Sequence, residues 1–374
     1  MRLIPNIPII FHGKFPSDYV NDINGWGFSK ETIEKNKGKL LTLDIDFGNY
    51  CSLNCPLCFR NNNSIDRVEK ELKYDDLIKI ILQAKKLGLR SVKFLGKGEM
   101  FENEGFLEFL EFLHNENIIP LIFTKGNVIG DDNLVKKYFG KYNIDTGEKL
   151  VDKLYNLNAS IMLGFNSFDE DKQNKIVGNI KNYTKVRNRA LKLLVDRGFN
   201  KPNPTRLAVA VNPITKINID EAFDIYKWAR VRNLYPIITP SMISGRAKDR
   251  AWKAVNPPDE QIIDLYTKIY KYNIEKGIQT KDQIMEEDIS SYAGGHPCNQ
   301  VAAGLYVSLN GIVLSCPGSE DLIEGNIWKN DLEYIWNNSQ NKNKRAGIFN
   351  NHCIAKDGYT IPINLYEIVK KKYE

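Results

Sequence analysis

The sequence predicts an α/β protein built on a mostly parallel sheet, on three observations. Six β-type runs succeed one another between Leu40 and Pro240, helical patterns separate them, and a dense cysteine loop directly follows the first run. Strand–helix alternation makes successive strands parallel, because each helix carries the chain back before the next strand begins.

The runs are LLTLDIDF (40–47), SVKFLG (91–96), PLIFT (120–124), ASIMLGFN (159–166), RLAVAVN (206–212) and YPIITP (235–240), each rich in β-branched or aromatic residues. Between the first two, Leu77, Ile80, Ile81, Ala84 and Leu87 fall on one helical face, with Asp75 and Asp76 at its start and Gly88 just past its end. Residues 183–198 and 219–233 read the same way. An open doubly wound sheet and a partial barrel both satisfy this pattern, and in either one ligands gather at the C-terminal ends of the strands. After Pro240 come a loop containing SGRAKDR, a helical stretch around 258–276, and from about 290 a tail bearing Gly and Cys. The expected organisation is an N-terminal extension (1–39), a strand–helix body (40–245), a helical linker (246–289) and a small C-terminal α+β domain (290–374).

Composition narrows the class. The net charge of +6 is modest, its lysines are scattered, and the 18 Tyr and 17 Phe occupy apparent core positions. No basic, aromatic-rich stripe stands out, which argues against a nucleic-acid partner. The N-terminal MRLIPNIPIIFHGK is interrupted by prolines and lacks a small-residue cleavage site, and no apolar run is long enough to span a bilayer. A soluble, cytoplasmic protein without a membrane partner is expected.

Six cysteines form two sets of three, at 51, 55, 58 and at 298, 316, 353. A long chain without a secretory signal belongs in a reducing compartment, so metal binding explains the grouping better than disulfides. Cys51, Cys55 and Cys58 can converge on one iron–sulfur cluster, each thiolate binding one iron. Three ligands on a four-iron cluster leave one iron open to a small chelating molecule. Zinc is the competing reading, but it wants a fourth ligand and the loop offers none.

The spacing in CSLNCPLC resembles the signature of the radical S-adenosylmethionine (SAM) superfamily. Other segments similar to that family follow in order, each after a strand. Gly96-Lys97-Gly98-Glu99 resembles the segment that holds the SAM amino group, with Met100 where proline is frequent. Glu99 would pair with the ammonium and Gly98 would permit close backbone approach. Thr124-Lys125-Gly126-Asn127 is similar to a Thr-Asn-Gly turn with a substitution in the middle, and Asn166 and Ser167 fall where ribose-binding side chains usually lie. The resemblance covers about residues 40–245 and implies a partial (βα)6 barrel, a [4Fe–4S] cluster at Cys51, Cys55 and Cys58, and bound SAM. It implies that a reduced cluster splits SAM into methionine and a 5′-deoxyadenosyl radical, which abstracts hydrogen from a C–H bond. A reductase or a flavodoxin or ferredoxin would supply the electron.

In the tail, YVSLNGIVLSC reads as a hairpin about an Asn310-Gly311 turn that returns Cys316 beside Cys298, and a later helix, roughly LEYIWNNS, can bring Cys353 back. This resembles the SPASM and twitch extensions of the same family. The Cys-rich block of the full SPASM pattern is missing, so the shorter twitch type, with one auxiliary [4Fe–4S] cluster at Cys298, Cys316 and Cys353, fits better. Its fourth iron could take His296, His352 or the more distant Arg246, though each reads more readily as a loop or supporting residue, or could stay open for substrate. A zinc-stapled tail competes. The resemblance implies two-electron oxidation of a small molecule, with peptide crosslinking or epimerisation as the alternative. Residues 1–39 are too few for the leader-recognition domain many peptide enzymes carry, and epimerases need a hydrogen donor although all six cysteines are assigned to clusters. A non-catalytic iron–sulfur or zinc protein that binds nucleic acid would leave Gly98-Glu99 unexplained.

Overall fold

The computed structural model describes residues 1–15, 22–59, 70–249, 252–296, 298, 300–349 and 352–374, so Arg250 of the SGRAKDR loop lies outside the described residues. All six expected strands form: β1 (Thr42–Ile45), β2 (Ser91–Phe94), β3 (Ile119–Thr124), β4 (Ser160–Gly164), β5 (Leu207–Ile214) and β6 (Tyr235–Pro240). Three more follow in the tail: β7 (Gly304–Val307), β8 (Ile312–Leu314) and β9 (Ile323–Asn326). They make one nine-stranded sheet in the order β6-β5-β4-β3-β2-β1-β7-β8-β9. Every pair from β6 to β7 is parallel, and β8 and β9 are added antiparallel.

Alternation along the strands shows that the sheet curls around its own interior. Leu43, Ile45, Ile161, Leu163, Val209, Val211 and Ile238 pack into the large outer core shared with the helices. Their neighbours Leu121, Met162, Ala208, Ala210, Tyr235 and Ile237 turn the other way, into a second core filled by Ile23, Trp26 and Tyr292. Two buried faces on a parallel sheet, with β6 and β9 as unjoined edges, describe a partial barrel rather than a flat doubly wound sheet.

The helices sit on the outer face. The first crossover helix, Tyr74–Lys86, buries the expected Leu77, Ile80, Ile81 and Ala84, and the carboxylate of Asp76 accepts the Lys73 backbone N–H at 3.0 Å to close its first turn. Tyr183–Arg197, Ile219–Arg230 and Asp259–Lys276 form where periodicity places them. The last packs on Ile219–Arg230 through buried Tyr226, whose hydroxyl donates to Asn273 Oδ1 at 2.6 Å. Among the described residues no helix is long and apolar enough to cross a membrane.

The tail differs from the separate domain expected. The hairpin forms about Gly311, but β7 pairs in parallel with β1, from Thr42↔Gly304 to Ile45↔Val307. Without β7, β1 would be a bare edge, and a lone hairpin is marginal in water, so the union satisfies both. The C-terminal residues therefore extend the barrel wall.

Candidate functional site

The first cysteine loop leaves the C-terminal end of β1 and is clamped on three sides. From the β2 side, the Glu102 carboxylate accepts the Ser52 backbone N–H (2.7 Å), the Ser52 hydroxyl (2.6 Å) and Asn127 Nδ2 (2.6 Å). The Glu99 backbone N–H donates to Tyr50 O at 2.9 Å, and Asn103 Nδ2 donates to the carbonyls of Tyr50 and Glu99. From the β4 side, Leu53 packs with Val177 and Tyr183, against Cys51 and Cys55. From the β6 side, Arg246 N–H donates to Cys58 O at 3.0 Å, the Ser244 hydroxyl to Phe59 O at 2.8 Å, and the Arg246 guanidinium to Asn54 Oδ1 and Cys55 O. Arg246, a distant candidate for the second cysteine set, thus supports the first.

Gly98 shows why the β2 turn needs glycine. Its φ is +81°, and a Cβ there would stand 2.8 Å from Tyr50 O and 2.9 Å from Gly48 O. The close approach anticipated for a ligand is, in this fold, an approach of the cysteine loop itself.

Cys51, Cys55 and Cys58 line one cavity of about 440 Å³ together with Gly98, Glu99 and Lys125, within the range of small-molecule sites. Leu95, Phe123, Ile217 and Met242 make much of its wall apolar. Burial pushes the Cys51 thiol up to about 12, with the Glu99 carboxylate adding to the effect, and burial raises Cys55 against the opposing charges of Lys125 and Arg246. A metal bound to Cys51 and Cys55 would favour their thiolates. Among the described residues no three His, Cys, Asp or Glu side chains stand as a group able to hold a single metal ion. A cluster separates its ligands further, because each thiolate binds a different iron.

Glu99 is the cavity's buried acid. Its carboxylate accepts the Thr124 hydroxyl at 2.6 Å and the Lys125 backbone N–H at 3.0 Å. Burial nonetheless pushes it up to about 7, above the usual carboxylate range. Lys125 reaches into the same cavity, its ammonium 4.8 Å from the Phe123 ring centroid. Among the described residues no carboxylate lies within ion-pair distance of it. A buried acid and an ammonium on one cavity wall suit the two ends of an α-amino acid. The residues present therefore fit both groups the resemblance implies.

The remaining candidates divide. Thr124 and Asn127 join the site through Glu99 and Glu102. Asn166 is buried after β4 with both side-chain polar atoms unpartnered, but it does not line the cavity. Ser167 donates its hydroxyl to Glu221 at 2.9 Å and stands outside the cavity wall, which leaves it a structural hydrogen bond. Glu102 and Lys125 escaped the sequence reading. A Glu three residues after Glu99 and a Lys inside a turn look like surface residues until the loops are assembled.

The second set gathers where the tail meets β6. Cys353 and Ala355 pack with Met242 and Phe59, and Cys298 packs on the barrel interior. Burial raises Cys316 well above its ordinary value and Cys353 to about 11, Lys356 opposing the latter. His352 is turned outward onto Asp357 at 3.3 Å, with its side chain 60% exposed. Half-buried His296 is lowered to about 4 by desolvation with Arg230 adding to it, and its Nδ1 has no hydrogen-bond partner among the described residues.

A family profile described as Radical SAM superfamily matches residues 45–229. No curated protein sequence matches the chain. Among solved structures, Streptococcus suis SuiB bound to precursor peptide SuiA superimposes with a TM-score of 0.55 at 17% identity, over 80% of this chain and 65% of SuiB. The chain thus spans 65% of the length of SuiB. Native anSMEcpe with bound AdoMet gives a TM-score of 0.55 at 12% identity, over 89% of this chain and 95% of that one. The same protein with AdoMet and the Cp18Cys peptide gives 0.53 at 14% identity, over the same shares. At these identities the structures speak for the fold alone, and the fold is the one described above. With the barrel, the clamped cysteine loop and the matched span in agreement, residues 45–229 are a radical SAM domain.

Proposed function

We propose that this radical SAM enzyme removes two electrons from its substrate, a small molecule dehydrogenated at a C–H bond, and that Cys298, Cys316 and Cys353 hold an auxiliary [4Fe–4S] cluster to receive the second electron. The observation that carries the reading is Met242, which lines the cavity on one side and packs on Cys353 with Phe59 on the other. Met242 thus touches both the cavity of the first cysteine set and a member of the second.

The family's [4Fe–4S] cluster and SAM, when bound, supply a 5′-deoxyadenosyl radical after a one-electron reduction by a reductase or a flavodoxin or ferredoxin. Cys51, Cys55 and Cys58 would hold that cluster. Glu99, held by Thr124 and the Lys125 N–H, would take the SAM ammonium, and Lys125 its carboxylate. Leu95, Phe123, Ile217 and Met242 exclude water from the reacting carbon. For an alcohol carbon the oxidation would balance as one hydrogen atom to the 5′-deoxyadenosyl radical, giving 5′-deoxyadenosine, one proton to solvent or a base, and one electron to the cluster that Cys298, Cys316 and Cys353 would hold, leaving a carbonyl.

Peptide modification is the second reading, favoured by the peptides in the SuiB and anSMEcpe structures. Both readings predict a second cluster if the chemistry is oxidative. Anaerobic reconstitution should give about eight irons per chain, falling to about four in a Cys298/Cys316/Cys353→Ala variant that still cleaves SAM. Four irons in both proteins would remove the electron acceptor and the proposal with it.

The Lys125 assignment has its own check. Lys125→Met should weaken SAM binding about tenfold and leave decarboxylated SAM unaffected. Equal weakening of both ligands would show that Lys125 does not meet the carboxylate.

A further inference from the structure

Lys356 has no place in the chemistry so far, and its position calls for one. It is fully buried. Its ammonium donates to Thr239 Oγ1 at 2.7 Å, and that hydroxyl in turn donates to Ser291 O at 2.8 Å, which fixes the Thr239 oxygen as an acceptor. The ammonium also lies 4.7 Å from the centroid of the Tyr292 ring.

A buried ammonium ordinarily pairs with a carboxylate, because desolvation of an unpaired charge costs several kcal/mol. Among the described residues Lys356 has none within ion-pair distance. Asp357, its neighbour in sequence, is turned to other work: its carboxylate accepts the Cys353 backbone N–H at 3.0 Å and the Tyr366 hydroxyl at 2.7 Å, with His352 at 3.3 Å. Asp44, on the interior face of β1, stands 4.0 Å from Lys93. The second cysteine set stands beside it instead: the Lys356 backbone N–H donates to Cys353 O at 3.0 Å, and the Tyr292 ring next to its ammonium belongs to the cluster of side chains on which Cys298 packs.

The two halves of this arrangement fail separately and succeed together. A buried ammonium without an anion beside it is costly, and so is a buried anionic cluster without a cation. A cluster bound through three thiolates carries the negative charge that Lys356 needs. A fixed cation beside such a cluster favours its reduced state, since reduction adds one more negative charge.

We propose that Lys356 is the built-in counter-charge of the auxiliary cluster, a positioning residue that raises the cluster's reduction potential so that it accepts the substrate's electron. The inference rests on the auxiliary-cluster reading above, and deepens it.

The test is an EPR-monitored redox titration of the reconstituted full chain, wild type against Lys356→Met and Lys356→Arg, with iron counted on each. Adding SAM identifies the first cluster, because only its signal responds; the SAM-insensitive signal belongs to the second. Lys356→Met should move the insensitive signal to a more negative potential while the SAM-responsive one stays in place, and Lys356→Arg should stay near wild type. Loss of about four irons in Lys356→Met, restored in Lys356→Arg, would equally support a required charge. An unmoved potential at full iron content would overturn the inference, as would loss of the second cluster in both variants. About four irons in the wild type would instead defeat the auxiliary-cluster reading on which it stands.

Discussion

Glu99→Gln should weaken SAM binding by about two orders of magnitude, because it removes one charge from a pair that water cannot reach. The substitution keeps the shape of the side chain and an oxygen able to accept from Thr124 or the Lys125 N–H, so the loss reads the charge. A hundredfold change corresponds to about 2.7 kcal/mol, within the range for a desolvated charge-assisted contact. The same carboxylate predicts a pH dependence. Burial pushes Glu99 up to about 7, and only its ionised form attracts an ammonium. As pH falls through that value the carboxylate protonates, and affinity falls with it. Between pH 7 and pH 5.5 the ionised fraction drops roughly fifteenfold, and the dissociation constant should rise in proportion. Equilibrium binding across the range should show the slope in wild type and a flat line in Glu99→Gln. A slope that survives the substitution would assign the titration elsewhere.

Much of the barrel was legible because each strand announces itself locally. ASIMLGFN and RLAVAVN are runs that only a doubly buried strand explains, and the Leu77-to-Leu87 spacing marks a helix with one apolar face. The pairing of β7 with β1 was not legible. It joins residues more than 250 positions apart, and parallel pairing leaves no mark in either segment. For the same reason YVSLNGIVLSC reads correctly as a hairpin and incorrectly as the start of an independent domain.

The site divides along the same line. Residues whose role follows from spacing within one loop, such as Cys51, Cys55, Cys58 and Glu99, could be found in the sequence. Those whose role depends on a partner from another strand could not. Arg246 reads as a distant candidate for the second cysteine set, yet its guanidinium reaches Asn54 and Cys55 O in the first. Ser167 stood at the right distance past a strand, but Glu221 from a later helix claims its hydroxyl. Nothing in CIAKDGY singles out Lys356, and it is Thr239 of β6 that meets its ammonium.

Glu102 is the sharpest case, and carries the second large effect. Glu102→Ala should strip the first cluster from an otherwise folded chain. Its carboxylate is a single acceptor site for Ser52 N–H, the Ser52 hydroxyl and Asn127 Nδ2, and Ser52 stands directly beside Cys51. Hydrogen bonds to a charged group contribute about 1.5–3 kcal/mol each, and removing the shared acceptor orphans all three donors at once. The outer barrel core does not include Glu102, so the far-UV spectrum should be unchanged. Iron should fall from about eight to about four per chain, and the iron that remains should be that of Cys298, Cys316 and Cys353. Combining Glu102→Ala with the Cys298/Cys316/Cys353→Ala change should then leave no cluster iron. Full iron in Glu102→Ala would mean that Val177, Tyr183 and Arg246 hold the loop without the β2 clamp. Glu102→Gln separates charge from shape: it keeps one accepting oxygen but offers an N–H where Ser52 and Asn127 already donate, so its iron content should fall between wild type and alanine.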